Sequence, residues 1–392
     1  MNTTLVLTHD CNLACTYCYA GEKFRASMDE RTVRAGLDLA FRRARGDVDL
    51  GFFGGEPLLE WDLLERACVT ATERAVREGR SLRLQVTTNG TLLTPERARR
   101  LCALNVEVAL SIDGTRAAHD ATRPKRGGQS SYDATVKAAR MLRETGHSLI
   151  VIAVVAPANV RELGASVRTL VALGADRILL NPCFEAVWTD DDLAAWELGL
   201  REAADVYADR MRAGHPVAMP TFDNKLLAAV KGGLASCDSC GAGERELAIA
   251  PSGNLYPCAR QVGEDRDHRW VVGHVSTGVD RARVAAIPRG PAHRECDECP
   301  ERWRCGAGCM CANLAETGEA DVPGGVQCWH EQITASVADA VGHALLAEQC
   351  SAFLEWTYAR VARAPTFVEN EELDDALTTS ARRHLPVLRA SA

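Results

Sequence analysis

No stretch of this 392-residue chain approaches the roughly 18 apolar residues that a membrane-spanning helix needs. No basic, apolar, small-residue leader precedes the first polar stretch. No internal repeat and no low-complexity tract is present. Positive charge is not in excess: 45 Lys and Arg stand against 53 Asp and Glu, a formal net charge of −8. Phosphate binding needs a basic face, so this balance argues against nucleic acid as a partner. Together these absences describe a cytoplasmic protein with no membrane segment. Cysteine, by contrast, is plentiful. In a reducing compartment, 16 cysteines point to metal or redox chemistry rather than to a disulfide framework. With 46% hydrophobic and 25% charged residues, the chain can build one large core and has room for a second domain.

From the N-terminus to about residue 215, short apolar runs alternate with longer amphipathic ones. Expected strands are Thr3–Leu7, Val48–Phe53, Leu82–Thr88, Val106–Ser111, Leu149–Val155 and Arg177–Asn181. Between them, apolar residues near i, i+3, i+4 and i+7 predict helices over Asp29–Arg45, Leu58–Glu78, Pro95–Leu104, Tyr132–Thr145, Val160–Leu173 and Asp190–Arg212. The class is α/β. Six β-α units imply parallel strands with right-handed crossovers, in an open sheet or a partly closed barrel. In both forms the chemistry gathers at the C-terminal strand ends. From about residue 232 the chain is rich in Gly, Pro and Cys, with little core of its own and a plausible metal framework. A helical pattern returns over Ile333–Val361, and a charged, Ala-containing tail closes the chain.

The first strand is followed by "HDCNLACTYCYA", with Cys11, Cys15 and Cys18 spaced x3 and x2. Iron–sulfur clusters normally take four protein thiolates, and this loop supplies three. Spacing alone leaves two readings: a zinc site completed by His9 or a distant cysteine, or a cluster with one open iron.

The loop, with Tyr17 as the aromatic residue before its last cysteine, resembles the signature of the radical S-adenosylmethionine (SAM) enzymes. The resemblance implies a 4Fe-4S cluster on Cys11, Cys15 and Cys18 whose open iron binds SAM, yielding a 5′-deoxyadenosyl radical that abstracts hydrogen. Gly54-Gly55-Glu56-Pro57 resembles the family's methionine-binding motif, with Glu56 facing the SAM ammonium. Thr87-Thr88-Asn89-Gly90 and Ser111-Ile112-Asp113-Gly114 stand where family members line the SAM pocket, which assigns Thr88, Asn89, Ser111 and Asp113 to it. Arg123, in "HDATRP", is similar to an arginine that holds the SAM carboxylate through charge-assisted bonds. The likeness spans roughly residues 3–215 and implies a partial (β/α)6 TIM-type barrel over 1–220.

A second thiol system begins at Cys237 and Cys240. It continues through Cys258, Cys296, Cys299, Cys305 and Cys309 to Cys328. Its CxxC pairs also suit zinc ribbons. The spacing resembles the SPASM extension of radical SAM enzymes that mostly modify peptides, here over 221–332, followed by a helical tail over 333–392. Carried over, the family arrangement places one auxiliary 4Fe-4S cluster on Cys237, Cys240, Cys258 and Cys309. A second falls on Cys296, Cys299, Cys305 and Cys328, making three clusters in all. Cys311 is left over as an alternative ligand, a hydrogen donor or a bystander, and Cys183 in "NPCFE" is a further candidate donor. Cys68, Cys102 and Cys350 fall in helical patterns and are expected in the core.

The expected function is maturation of a ribosomally made peptide by oxidative crosslinking, thioether or carbon–carbon, since auxiliary clusters favour net two-electron oxidation. Peptide epimerisation, small-molecule radical SAM oxidation and a zinc-binding interaction protein are the alternatives. The related sulfatase-maturating enzymes carry an aspartate after the cysteine that matches Cys258, and here the residues are Ala259 and Arg260, which sets that activity aside. With a first strand at about residue 3, the winged-helix domain that opens many peptide-modifying relatives is not expected here. The peptide is therefore expected to be held by a separate leader-binding protein, by the C-terminal tail or by the barrel mouth alone, and the electron to come from a flavodoxin- or ferredoxin-type donor.

Overall fold

The computed structural model describes residues 2–234, 240–291 and 294–363. It divides into two compact units: Met1–Asp192 with Gly241–Pro288, and Leu193–Cys240 with the described residues from Arg289 onward.

In the first unit the chain runs β1 (Asn2–Val6), α1 (Glu30–Arg43), β2 (Val48–Phe53), α2 (Trp61–Glu78), β3 (Leu82–Thr88), α3 (Pro95–Ala103) and β4 (Val106–Ser111). It continues through α4 (Arg116–Thr122), α5 (Tyr132–Glu144), β5 (Ile150–Val155), α6 (Leu163–Ala172) and β6 (Arg177–Pro182), and enters α7 (Asp190–Arg212). The six strands expected from the sequence all form, within a residue or so at their ends. Four of the six expected helices begin within a residue of the expected position. Asp29 caps α1 by accepting from Thr32 N at 2.7 Å. Thr94 caps α3, where Pro95 stands at the position that needs no N–H. The expected helices from Leu58 and Val160 open instead on short 3-10 turns, Pro57–Glu60 and Val160–Glu162.

Strands β1 to β6 pair in sequence order, and every pairing is parallel. Register aligns Val6 with Phe53, Thr88 with Leu110, Ser111 with Ile152 and Val155 with Pro182. The loops after β1, β2, β3, β4 and β6 therefore leave from one edge of the sheet. β2 alternates buried and half-buried residues along its length, with one side packed in the core.

The sheet extends beyond β1. Strand β7 (Glu246–Ile249) pairs parallel with β1, and β8 (Leu255–Tyr256) turns back against β7. Val6, Ala248, Ala250, Tyr256 and Val262 form one buried cluster there. The sequence gives no sign of β7 because "ELAI" is four residues long and has no periodicity. Its apolar side chains are buried only because β1 presents an unpaired edge. A small ribbon, β9 (Gly273–His274) and β10 (Gly278–Val279), and a short helix, α9 (Arg281–Ala285), complete this unit.

The second unit is helical. After most of α7 come α8 (Pro220–Lys231), α10 (Arg294–Asp297), α11 (Met310–Thr317), α12 (Gly325–Ala347) and α13 (Ser351–Arg363). The helix expected over Ile333–Val361 is two helices, broken at Gln349, whose φ of 51° is left-handed. Buried Asp223 anchors α13: it accepts from Trp356 Nε1 at 2.9 Å and pairs with Arg360 at 2.7 Å. Lys225 pairs with Glu331 and donates to Arg304 O, tying α8 to α12 and to the segment carrying Cys305. The tail beyond residue 363 and Cys237 lie outside the described residues. Among those residues no helix is long and apolar enough to cross a membrane.

Candidate active site

Cys11, Cys15 and Cys18 lie on the loop between β1 and α1 and line one cavity of about 200 Å³ at the C-terminal strand ends. The loop is held from two sides. On one side, Gly55 N donates to Thr8 O at 2.8 Å and Glu56 N to Asp10 O at 2.9 Å, so the backbone after β2 runs against the cysteine loop. Gly54 has a φ of +146°, and a Cβ on Gly55 would meet Asp10 O. This close approach is what the paired glycines provide. On the other side, Ala14 N donates to Pro124 O at 2.8 Å and Thr16 N to Thr122 O at 2.9 Å.

We expect Gly55→Ala to lower stability by at least about 2 kcal/mol, because its methyl would clash with main chain that cannot step aside. Gly46→Ala, where a Cβ would meet nothing within 4 Å, is the matched control. Chemical denaturation of the two variants checks this, and equal midpoints would refute the clamp.

Glu56 is buried on the cavity wall, and its carboxylate is engaged. Oε1 accepts from Leu58 N at 2.9 Å and from Thr88 Oγ1 at 2.7 Å, and Oε2 accepts from Asn89 N at 2.8 Å. Burial raises its pKa against these three bonds, which favour the carboxylate. Asn89 in turn reaches Asn12 Oδ1 at 3.0 Å, and Asn12 reaches Thr91 Oγ1 at 2.7 Å, coupling the end of β3 to the cysteine loop.

The other brace is Asp113, whose side chain is fully buried. Its Oδ2 accepts from Tyr17 OH and Thr122 Oγ1, each at 2.7 Å, and its Oδ1 accepts from Val154 N at 2.9 Å. Arg123 Nε lies 3.0 Å from the same Oδ2 without hydrogen-bond alignment, so the attraction there is between charges. The Arg123 guanidinium also sits over the Tyr17 ring, 5.2 Å from its centroid. His119 stands behind this group, with Nε2 2.9 Å from Ser131 Oγ, and burial lowers its pKa to about 4.

The structure therefore brings Gly54, Gly55, Glu56, Thr87, Thr88, Asn89, Ser111, Arg123, Tyr17 and Cys183 to one cavity with the three thiols. Pro57 and Asp113 stand behind its wall. Tyr19, Lys23, Asn181, Glu185 and Arg260 also line it, although the sequence does not mark them as site residues. Tyr19 and Glu185 each lie close to a flagged cysteine, which is the only hint the sequence offers. Arg260 comes from the turn after Cys258, pairs with Glu185 and lies over the Tyr19 ring at 4.7 Å. The expected core placement holds for Cys68 but needs correction for Cys102, which is exposed, and for Cys350, which is half-buried in the break before α13. Cys102 sits at the end of α3, where its thiol reaches Thr145 O instead of the core.

Burial pushes the Cys11 thiol up to about 12 and raises Cys15 as well. Such thiols lose their protons when a metal supplies the missing positive charge. Three thiols on one loop, opening on a cavity with room beside them, fit a 4Fe-4S cluster with one open iron. In the second unit, Cys309 is hydrogen-bonded by both Cys240 and Cys311, which pulls its pKa strongly down. Cys296 and Cys299 act electrostatically on Cys328, and Cys328 on Cys305. Cys258, in the first unit, caps the turn that carries Arg260. Among the described residues no three Cys, His, Asp or Glu side chains close on a single-ion site.

Comparison with known proteins agrees with this geometry. Residues 5–170 match the family model of the radical SAM superfamily. The chain is 30% identical over 331 residues to mycofactocin maturase MftC of Mycobacterium ulcerans, an overlap of 79% of this chain and 83% of that one. It is 29% identical over 334 residues to the PqqA peptide cyclase of Streptomyces rochei, covering 80% and 85% of the two chains. Among solved structures, native anSMEcpe with bound AdoMet superposes with a TM-score of 0.73 over 86% of this chain and 97% of that one. At 18% identity this last likeness is one of fold. The chain belongs to the radical SAM superfamily, whose members use SAM and a 4Fe-4S cluster, and it is an enzyme of that family.

Proposed function

We propose that this enzyme matures a peptide, forming an oxidative thioether or carbon–carbon crosslink. The observation that carries the reading is the cavity itself: three thiols of one loop share it with the ends of β2, β3, β4 and β6. Likeness to a maturase and to a peptide cyclase over four-fifths of the chain supports a peptide as substrate. Cys11, Cys15 and Cys18 would hold the cluster, and SAM would sit beside it, near Ser111, Thr88, Asn89 and Arg123. When bound, the cluster and SAM supply a 5′-deoxyadenosyl radical that removes a hydrogen atom. The chain's own part is to orient and to exclude water. Glu56 and Asp113 fix the loop from two sides, and the Arg260–Glu185 pair bounds the cavity beside β6.

The cysteines of residues 221–332 support two auxiliary clusters, one on Cys237, Cys240, Cys258 and Cys309 and one on Cys296, Cys299, Cys305 and Cys328. They would give the second electron of an oxidation somewhere to go. The partners of this reading are a flavodoxin- or ferredoxin-type donor and, unless the tail or the barrel mouth holds the peptide, a separate leader-binding protein.

Cys183 favours a second reading. It is buried on the cavity wall, where desolvation and then Glu185 raise its pKa, so it is a neutral thiol able to return a hydrogen atom. That is the requirement of an epimerase.

Incubation with SAM, a reductant and short peptides encoded beside this gene, carried out in D2O, separates the two. A loss of two hydrogens per peptide supports crosslinking, whereas a gain of one deuterium without other change supports epimerisation. If neither appears and 5′-deoxyadenosine forms only with a small molecule, the peptide reading is wrong.

A further inference from the structure

Three cations line the cavity: Lys23, Arg123 and Arg260. Arg123 is paired with Asp113 and Arg260 with Glu185. Among the described residues no carboxylate pairs with Lys23. Its Nζ lies 3.0 Å from Cys18 Sγ and 3.0 Å from Gly21 O. The contact is built by the local fold. Gly21, at a φ of +69°, turns the chain back so that the fifth residue after Cys18 returns to it. Glu22 N is pinned to Glu264 Oε1 at 2.8 Å. On the far side, Phe24 stacks on His9 at 4.8 Å, and the Arg266 guanidinium lies 5.0 Å from the Phe24 ring centroid. Lys23 thus lies between two neighbours that are themselves anchored, at Glu22 and Phe24.

We infer that Lys23 is a tuning residue for the cluster: its ammonium, donating to the Cys18 sulfur, raises the cluster's reduction potential. The inference rests on Cys11, Cys15 and Cys18 being the ligands. Potentials of such clusters follow the net charge around them and the hydrogen bonds to their sulfurs. One-electron reduction by an external donor adds a negative charge to the cluster, and a fixed positive charge at a ligand sulfur stabilises that state more than the oxidised one. A methionine of similar length would keep the packing and lose the charge. Arginine would keep the charge.

The test is a potentiometric titration of the full reconstituted chain. It follows by electron paramagnetic resonance the reduced-cluster signal that changes when SAM is added, in wild type, K23M, K23Q and K23R. At a fixed potential, K23M and K23Q should show a reduced-to-oxidised ratio lower by about tenfold, which is about 59 mV for a one-electron couple. K23R should stay near wild type. Superimposed midpoints for all four proteins would overturn the inference. Loss of the signal in K23M and K23Q alike, with K23R intact, would make Lys23 a strut for the loop and overturn the tuning role. A wild-type signal indifferent to SAM would overturn the cluster assignment itself, and the inference with it.

Discussion

Replacing Cys15 with alanine is expected to abolish SAM cleavage while leaving, on the three-cluster proposal, about eight of about twelve irons per chain in place. Cys15 is the middle cysteine of the loop, the proposed middle ligand, and is half-buried on the cavity wall. Without it two thiols remain, and burial already keeps Cys11 protonated unless a metal offsets the cost of the charge. Two ligands cannot hold a four-iron cluster that already needs an exogenous group on its fourth iron, so the cluster is lost rather than weakened. The auxiliary set should survive, because its thiols belong to a different part of the chain. Iron and sulfide analysis together with chromatography for 5′-deoxyadenosine checks both halves of the expectation. Cleavage above background in C15A, or in C11A or C18A, would sink the assignment. Changing Cys305 or Cys328 should give the opposite pattern. On the proposed ligand set one auxiliary cluster would be lost, folding around it would suffer because a structural metal couples to its fold, and some uncoupled SAM cleavage would persist.

The parts of this molecule that were legible in the sequence are those written in short-range pattern. Strand β3, "LRLQVTT", shows its alternation outright, and Thr94-Pro95 announces the start of α3. The three-cysteine loop and "GGEP" could be placed at strand ends because six strands in order leave their C-terminal ends on one edge. What the sequence did not show depends on partners far along the chain. Tyr17 meets Asp113 across 96 positions and Asn2 meets Glu246 across 244. Neither pair has a local signature. Strand β7 exists only because β1 offers it an edge, and α4 is a seven-residue helix whose apolar content is three alanines. Arg260 was visible only as the neighbour of Ala259. Its place on the cavity wall follows from how the chain after β8 packs on Val6 and Tyr256. Asp113 reads as one more pocket residue in "SIDG"; its carboxylate is fully buried and bound to Tyr17, Val154 and Arg123, which themselves line the cavity.

That placement makes Asp113 the second position where a single change should matter most. Asp113→Ala removes four partners at once: the Tyr17 and Thr122 hydroxyls, the Val154 N–H and the charge that balances Arg123. Arg123 is itself buried, and Asp113 holds its pKa above the ordinary value despite desolvation. Breaking a buried ion pair from one side leaves an uncompensated charge and costs about 3–5 kcal/mol. The loss should reach the site through Tyr17, which lies between Cys15 and Cys18 and would no longer be tied to the ends of β4 and β5. Asp113→Asn keeps the volume and an acceptor for Val154 but drops the charge, so it should fall between wild type and alanine. The double variant D113A/R123M separates the two causes. If the unpaired cation dominates, the double variant is more stable than D113A alone, and with the R123M single variant the cycle gives the coupling. If the lost hydroxyl and amide bonds dominate, R123M recovers nothing. Denaturation midpoints of the four proteins read this directly, and a D113A chain within about 1 kcal/mol of wild type would mean that the loop is held by the Gly55 and Pro124 backbone contacts alone.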